Sequence, residues 1–203
     1  MWNEPSAGVA VAALDPDRGS RQPAPAVVAS VEPGSIGEDL GFEPGDQLLS
    51  INGVRPRDLI DYRYLIVEEE LHLEIRDAAG ELYQVDLEKD EDDGLGLAFT
   101  EALFDGLRQC SNACAFCFID QQPPGHRSSL YLKDDDYRLS FLYGSYLTLT
   151  NLSDSDWHRI EQQRLSPLFV SVHATDPDLR SSLLQNPRAG QLLQQLAWFA
   201  KRD

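Results

Sequence analysis

The sequence predicts an α/β protein built in two parts. In residues 26–93, short β-prone runs alternate with turn signals such as Pro33-Gly34-Ser35 and Asn52-Gly53, which is typical of a small α+β module. In residues 94–203, strand and helix patterns follow one another in the order of a parallel α/β barrel or sheet. Residues 1–25 are rich in structure breakers, so we expect them to form a flexible lead-in.

The elements of the first part each carry a local signal of alternating hydrophobicity or of helix initiation. They are strands at residues 26–31, 47–51, 71–76 and 82–87, and helices at residues 36–40 and 58–67. The elements of the second part follow from continuous apolar runs and from capping residues. They are a first candidate strand at residues 103–107, strands at 146–150 and 168–172, and helices at 153–165, 177–184 and 190–200. We interpret the charged segment 133–136 as a solvated loop.

The charge balance excludes several classes of partner. Lys and Arg number 17 and Asp and Glu number 34, which gives a net charge of −17. Such an acidic chain does not fit a nucleic-acid partner or an anionic membrane surface. No apolar stretch reaches the length of a membrane span, and the N-terminus lacks the pattern of a signal peptide. An odd number of closely spaced cysteines does not suggest a disulfide framework, so the cytoplasm is the predicted compartment.

All three cysteines of the chain lie close together, at Cys110, Cys114 and Cys117. Thiolates in so short a segment form a soft-ligand, metal-binding site that suits an iron–sulfur cluster or zinc. A cubane cluster would keep one iron open for a small-molecule ligand, because three thiolates hold only three of its corners. A Cys3His zinc site is the main alternative, with His126 as the nearest fourth ligand. The simplest alternative is three buried structural cysteines.

The spacing Cys-x3-Cys-x2-Cys, with Phe116 just before the last cysteine, resembles the signature of the radical S-adenosylmethionine (SAM) enzymes. The resemblance implies a 4Fe–4S cluster on Cys110, Cys114 and Cys117, with SAM chelating the unique iron and the backbone of Phe116 near the adenine. It also implies the fold, a partial (β/α)6 barrel of which residues 94–203 would supply the first half.

The same resemblance implies a function and further contacts. The cluster would cleave SAM reductively to a 5′-deoxyadenosyl radical that acts on an unknown substrate, with an electron donor as partner. Thr150 and Asn151, at the end of the strand 146–150, are candidates for contacts with the methionyl group of SAM. His173 is a candidate for contact with SAM or substrate, or a satisfied histidine at a strand end. A six-strand barrel needs roughly 200 residues, so we expect catalysis from a longer form rather than from these 203 residues alone.

The first part, residues 26–93, resembles a bacterial PDZ domain through Val31-Glu-Pro-Gly-Ser35, Gly45-Asp46 and Ile51-Asn52-Gly53. PDZ domains bind a peptide C-terminus by strand addition, with a carboxylate loop before the receiving strand. Here the similar run Gly94-Leu95-Gly96-Leu97 follows the last hairpin, and either completes a permuted domain or serves as a connector. The alternative function is therefore a PDZ-type peptide or protein interaction module with a structural zinc or metal knuckle. The combination of both parts resembles a family of radical-SAM proteins with an N-terminal PDZ-like domain and a C-terminal domain of unknown function.

Overall fold

The computed structural model describes residues 24–202, so nearly all of the lead-in predicted at residues 1–25 lies outside the described residues. The chain divides between Gly106 and Leu107 into two compact units. The domain boundary predicted after residue 93 stays a prediction. No helix of residues 24–202 has the length and hydropathy needed to span a membrane.

The first unit is built on a five-stranded antiparallel sheet. Its strands are β1 (Ala26–Val31), β2 (Gln47–Ile51), β3 (Glu70–Arg76), β4 (Leu82–Glu88) and β5 (Leu97–Phe99), in the order β4-β3-β2-β1-β5. Two short helices, α1 (Ile36–Asp39) and α2 (Leu59–Leu65), join the strands. The predicted strands and helices of this part are confirmed, whereas β5 was not predicted.

Both helices of the first unit begin at side-chain caps. The hydroxyl of Ser35 accepts the backbone N–H of Glu38, and the carboxylate of Asp58 accepts those of Ile60 and Asp61. Such caps satisfy N–H groups that have no partner within the helix. Below the helices, alternate strand residues form the core. The fully buried ones are Ala26, Leu48, Ile51, Leu73 and Ile75.

The Gly94–Leu97 run packs into the first unit and leads into β5. Leu95 is fully buried, and its carbonyl accepts the backbone N–H of Gly37 at 2.8 Å. The carbonyl of Gly96 accepts the N–H of Glu32 at 2.8 Å. Gly96 has a φ of +70°, and a Cβ there would lie 2.3 Å from the Cβ of Ser35, so no other residue fits without movement. The run thereby allows β5 to pair with β1 as an edge strand.

The second unit is a mixed α/β structure with one parallel strand pair. β6 (Tyr146–Leu147) and β7 (Phe169–Val170) pair in parallel, and α4 (Asp154–Gln162) connects them. The remaining helices are α3 (Tyr137–Tyr143), α5 (Pro177–Leu184) and α6 (Leu192–Phe199), with single 3-10 turns at Ser128–Tyr131 and Pro187–Gln191. From β6 onward this is the predicted order of strand and helix, whereas α3 was not predicted. The half barrel that these elements would belong to stays a prediction.

A capping box fixes where α4 of the second unit begins. In it, the Ser153 hydroxyl accepts the Asp156 N–H while the Asp156 carboxylate accepts the Ser153 N–H.

The strand predicted at residues 103–107 is wrong. Leu103 forms only an isolated bridge with Asp58, which belongs to the first unit.

Candidate functional site

The cysteine loop, residues 107–117, has no helix or strand and is held by backbone hydrogen bonds from two sides. The N–H of Cys110 donates to the Lys133 carbonyl at 2.7 Å, and the N–H of Ala113 donates to the Leu184 carbonyl at 3.1 Å. A turn closes the end of the loop, where the N–H of Cys117 donates to the Cys114 carbonyl at 3.0 Å. The three cysteine thiols are free and partly exposed.

The three thiols interact electrostatically. Burial raises the pKa of Cys114, and the neighbouring Cys110 and Cys117 raise it further. Burial also raises the pKa of Cys110, against hydrogen bonds from Asn112 that lower it. Cysteines bind metals as thiolates, and the positive charge of a bound metal would offset the mutual repulsion of the three thiolates. Across residues 24–202, no three His, Cys, Asp or Glu side chains are already arranged to hold a metal ion. The donor chemistry of the three thiols fits a soft metal or cluster.

A network of amide and hydroxyl groups lies behind the loop and is centred on Asn112, which is buried. The Asn112 Nδ2 donates to the Cys110 Sγ at 3.2 Å and to the Thr148 Oγ1 at 3.0 Å. The Asn112 Oδ1 accepts from the Thr150 Oγ1 at 3.0 Å and from the Asn186 Nδ2 at 2.8 Å. The side chain of Asn112 is thus bonded on both ends, and it joins the cysteine loop to the end of β6.

The solvated loop predicted at residues 133–136 is wrong, because Asp135 and Asp136 are fully buried. Asp135 accepts the N–H of Thr148 at 2.6 Å and the hydroxyl of the same residue. Burial nevertheless leaves the pKa of Asp135 raised. Asp136 begins α3 and pairs with the Arg138 guanidinium at 2.7 Å. Burial alone would raise the pKa of Asp136, but the hydrogen bonds and charge of Arg138 outweigh it and hold that pKa below its usual value.

Arg180 fixes the ends of the two parallel strands. Its side chain is almost fully buried, at 1% exposure. Its guanidinium donates hydrogen bonds to four backbone carbonyls. The accepting carbonyls belong to Val172, Ala189, Thr148 and Ser171, at 2.7–3.0 Å. Arg180 therefore ties the residues that follow β6 and β7 to the 3-10 turn after α5.

The residues predicted to contact SAM are placed in two groups. Thr150 and Asn151 line a cavity of about 420 Å³ where β6 gives way to α4, together with Arg188. Thr150 is buried, and the Asn151 amide donates to the Asp135 carbonyl at 2.9 Å. These bonds hold both side chains against the cysteine loop and the segment before α3. Their predicted contacts with SAM remain a prediction.

Phe116 and His173 form the second group. Phe116 is 46% exposed, and its ring centroid lies 5.6 Å from that of His173. His173 has a left-handed backbone, with a φ of +61°. Partial desolvation, followed by the nearby charge of Arg180, lowers the pKa of His173. The Phe116 ring, which neighbours Cys117 in the sequence, therefore lies against the imidazole of His173.

His126, the fourth ligand of the zinc alternative, lies on an exposed stretch, where its backbone N–H donates to the Tyr131 hydroxyl at 3.0 Å. It belongs to no metal-ligand group within residues 24–202.

The sequence did not point to Asn112 or Thr148 as members of the site. Asn112 lies between the first two cysteines, and this position was its only local signal. The hydrogen bond between these two side chains joins residues far apart in the chain, which a local pattern does not contain.

The first unit has a second candidate site, between β5 and α2. β5 is the edge of the sheet, the position at which PDZ domains accept a peptide strand. The ring of Tyr62 on α2 lies 4.8 Å from that of Phe99 on β5, measured between centroids. The chain after β5 crosses to the start of α2, where the Leu59 N–H donates to the Ala102 carbonyl at 2.9 Å. Side chains and backbone of the module itself thus span the gap between this strand and helix.

Both parts of the chain match models of known protein families. A family model described as a radical SAM-like domain matches residues 89–203, more than half of the chain. The chain belongs to this family. A PDZ domain model matches residues 27–77, so the radical SAM-like domain follows an N-terminal PDZ domain, which confirms the predicted combination. A search of curated proteins found no match.

Proposed function

We propose that the radical SAM-like domain binds a 4Fe–4S cluster through Cys110, Cys114 and Cys117 and acts as a radical-SAM enzyme. The observation that carries the proposal is the presence of three free thiols on one partly exposed loop of this domain. Three thiolates suit a cluster that keeps one iron open for SAM, whereas a structural zinc site takes four protein ligands.

When bound, the cluster and SAM supply the one-electron cleavage of SAM to methionine and a 5′-deoxyadenosyl radical, with an external electron donor. The chain itself binds and positions. Asn112 orients the first cysteine, and the ring of Phe116, next to Cys117 in the sequence, packs against the ring of His173. Thr150 and Asn151 supply the polar wall of the cavity at the end of β6. We propose the cytoplasm as the compartment, because free thiols and an iron–sulfur cluster both need a reducing environment.

Anaerobic reconstitution of the chain with iron and sulfide tests the proposal. We expect about four iron and four sulfide per chain for the wild type, and a loss of most of both in C110S, C114S and C117S. Ser111→Ala is the matched control, because Ser111 lies on the same loop, is exposed, and accepts only a long hydrogen bond of 3.4 Å from Asn186, whose shorter bond of 2.8 Å goes to Asn112. A chain that takes up one tightly bound zinc and no sulfide would contradict the cluster and favour a structural metal knuckle.

A second function, peptide binding by the PDZ domain, is favoured by the position of β5 at an edge of the sheet and by the loop at residues 94–96 that precedes it. Backbone N–H groups of such a loop bind a terminal carboxylate in PDZ domains. Fluorescence anisotropy with a pool of C-terminal peptides tests this function. Binding that is lost when the same peptides are amidated supports it, and equal signals from both pools contradict it.

A further inference from the structure

We propose that Asn112 is a positioning residue that donates a side-chain N–H···S hydrogen bond to the Cys110 thiolate and thereby raises the reduction potential of the bound cluster. The inference rests on the proposed function, since it needs a cluster on Cys110. It adds the residue that sets how readily that cluster accepts an electron.

The amide of Asn112 has one favourable orientation. Its Oδ1 accepts from both Thr150 and Asn186, and its Nδ2 faces the Cys110 Sγ at 3.2 Å and the Thr148 Oγ1 at 3.0 Å. A flipped amide would place its oxygen against a thiolate and its NH2 group against the NH2 group of Asn186. Both contacts are repulsive, so the network fixes the donor toward sulfur.

The buried carboxylate of Asp135 sets the direction of the hydrogen bonds in this network. The hydroxyl of Thr148 has one proton and donates it to Asp135, which leaves the Thr148 oxygen as an acceptor for Asn112. Asn112 therefore uses its two amide protons on Thr148 and on Cys110, with none left over.

A donor to a ligating sulfur stabilises negative charge on it, and reduction adds one electron to the cluster. The hydrogen bond is therefore stronger in the reduced state and favours reduction, in line with the known effect of hydrogen bonds to cluster sulfurs on the potential. Because Asn112 is buried at 6% exposure, water does not readily replace the lost donor.

The test is a redox titration of the anaerobically reconstituted chain, followed by electron paramagnetic resonance, for the wild type, Asn112→Leu and Asn112→Gln. We expect N112L to keep its iron and sulfide and to shift to a more negative potential. The expected shift is roughly tenfold in the reduction equilibrium, or ~59 mV for a one-electron couple. Asn112→Gln, which keeps a donating amide, should recover part of the shift. Ser111→Ala should titrate like the wild type.

The outcomes separate the inference from the proposed function. A wild-type chain that assembles no cluster overturns the proposed function and this inference with it. Clusters of equal content and equal potential in the wild type and N112L overturn the inference alone. If N112L takes up no cluster, the comparison passes to N112Q: a potential more negative than that of the wild type supports the inference, and an equal potential, or an N112Q chain that also takes up no cluster, overturns it.

Discussion

The buried Arg180 gives the most direct prediction about stability. Its guanidinium makes hydrogen bonds to the backbone carbonyls of Val172, Ala189, Thr148 and Ser171, and these bonds join the residues after β6 and β7 to the turn after α5. Arg180→Met keeps much of the side-chain volume and removes every donor. We expect the second unit to lose about 3–5 kcal/mol of unfolding free energy.

The magnitude follows from two opposing contributions. A hydrogen bond to a charged group contributes about 1.5–3 kcal/mol, so the bonds made by Arg180 would sum to well above 5 kcal/mol if each counted in full. The buried charge is costly, however, and this burial lowers the pKa of Arg180. Methionine avoids that cost, so the net loss is smaller than the sum. The main remaining penalty is a set of buried carbonyls without a donor.

Urea denaturation followed by tryptophan fluorescence measures this loss. Two of the three tryptophans, Trp157 and Trp198, lie in the second unit with ring centroids 4.9 Å apart, so the signal reports mainly on that unit. Arg188→Met is the matched control, because Arg188 is an exposed arginine on the neighbouring 3-10 turn, and it should change stability by less than about 0.5 kcal/mol. If R180M lies within about 1 kcal/mol of the wild type, the reasoning from its hydrogen bonds is refuted.

Three further predictions concern other parts of the chain. Gly96→Ala should destabilise the first unit more than Gly80→Ala by thermal unfolding, because both have positive φ but only Gly96 would bring a Cβ against another residue; equal losses would contradict this. The difference in unfolding free energy between the wild type and Asp136→Asn should be constant near pH 6 and shrink as the pH falls below 3.8, because folding lowers the pKa of Asp136 from this usual value. A difference that persists under strong acid in urea titrations would contradict this. Phe99→Ala should open the gap to Tyr62 and strengthen binding of C-terminal peptides several-fold by anisotropy, whereas unchanged or weaker binding would show that this ring contact does not close the groove.

Much of the fold could be predicted because its signals are local. The hairpin of β3 and β4, the caps at Ser35 and Asp58, and the capping box at Ser153 all depend on residues within a few positions of one another. The spacing of the cysteines is local as well, and it pointed to the loop that carries the candidate site. The order of strand and helix in the second unit followed from its apolar runs.

The rest could not be predicted, because it depends on contacts between distant residues. The acidic segment before α3 has the composition of a solvated loop, yet Asp135 and Asp136 are buried because Thr148 and Arg138 supply donors to them. The three-residue strand β5 exists because β1 offers it an edge. Asn112 becomes part of the site only when β6 brings Thr148 beside it, which no pattern of residues around the cysteines contains.

The central claim is that the cysteine loop holds a 4Fe–4S cluster with one iron open to SAM. Electron paramagnetic resonance of the reconstituted and reduced chain, recorded before and after the addition of SAM, tests it most directly. We expect a 4Fe–4S signal that changes shape when SAM is added and that is absent in C114S. A signal that SAM leaves unchanged would contradict binding of SAM at the open iron, and a chain that holds only zinc would contradict the cluster itself.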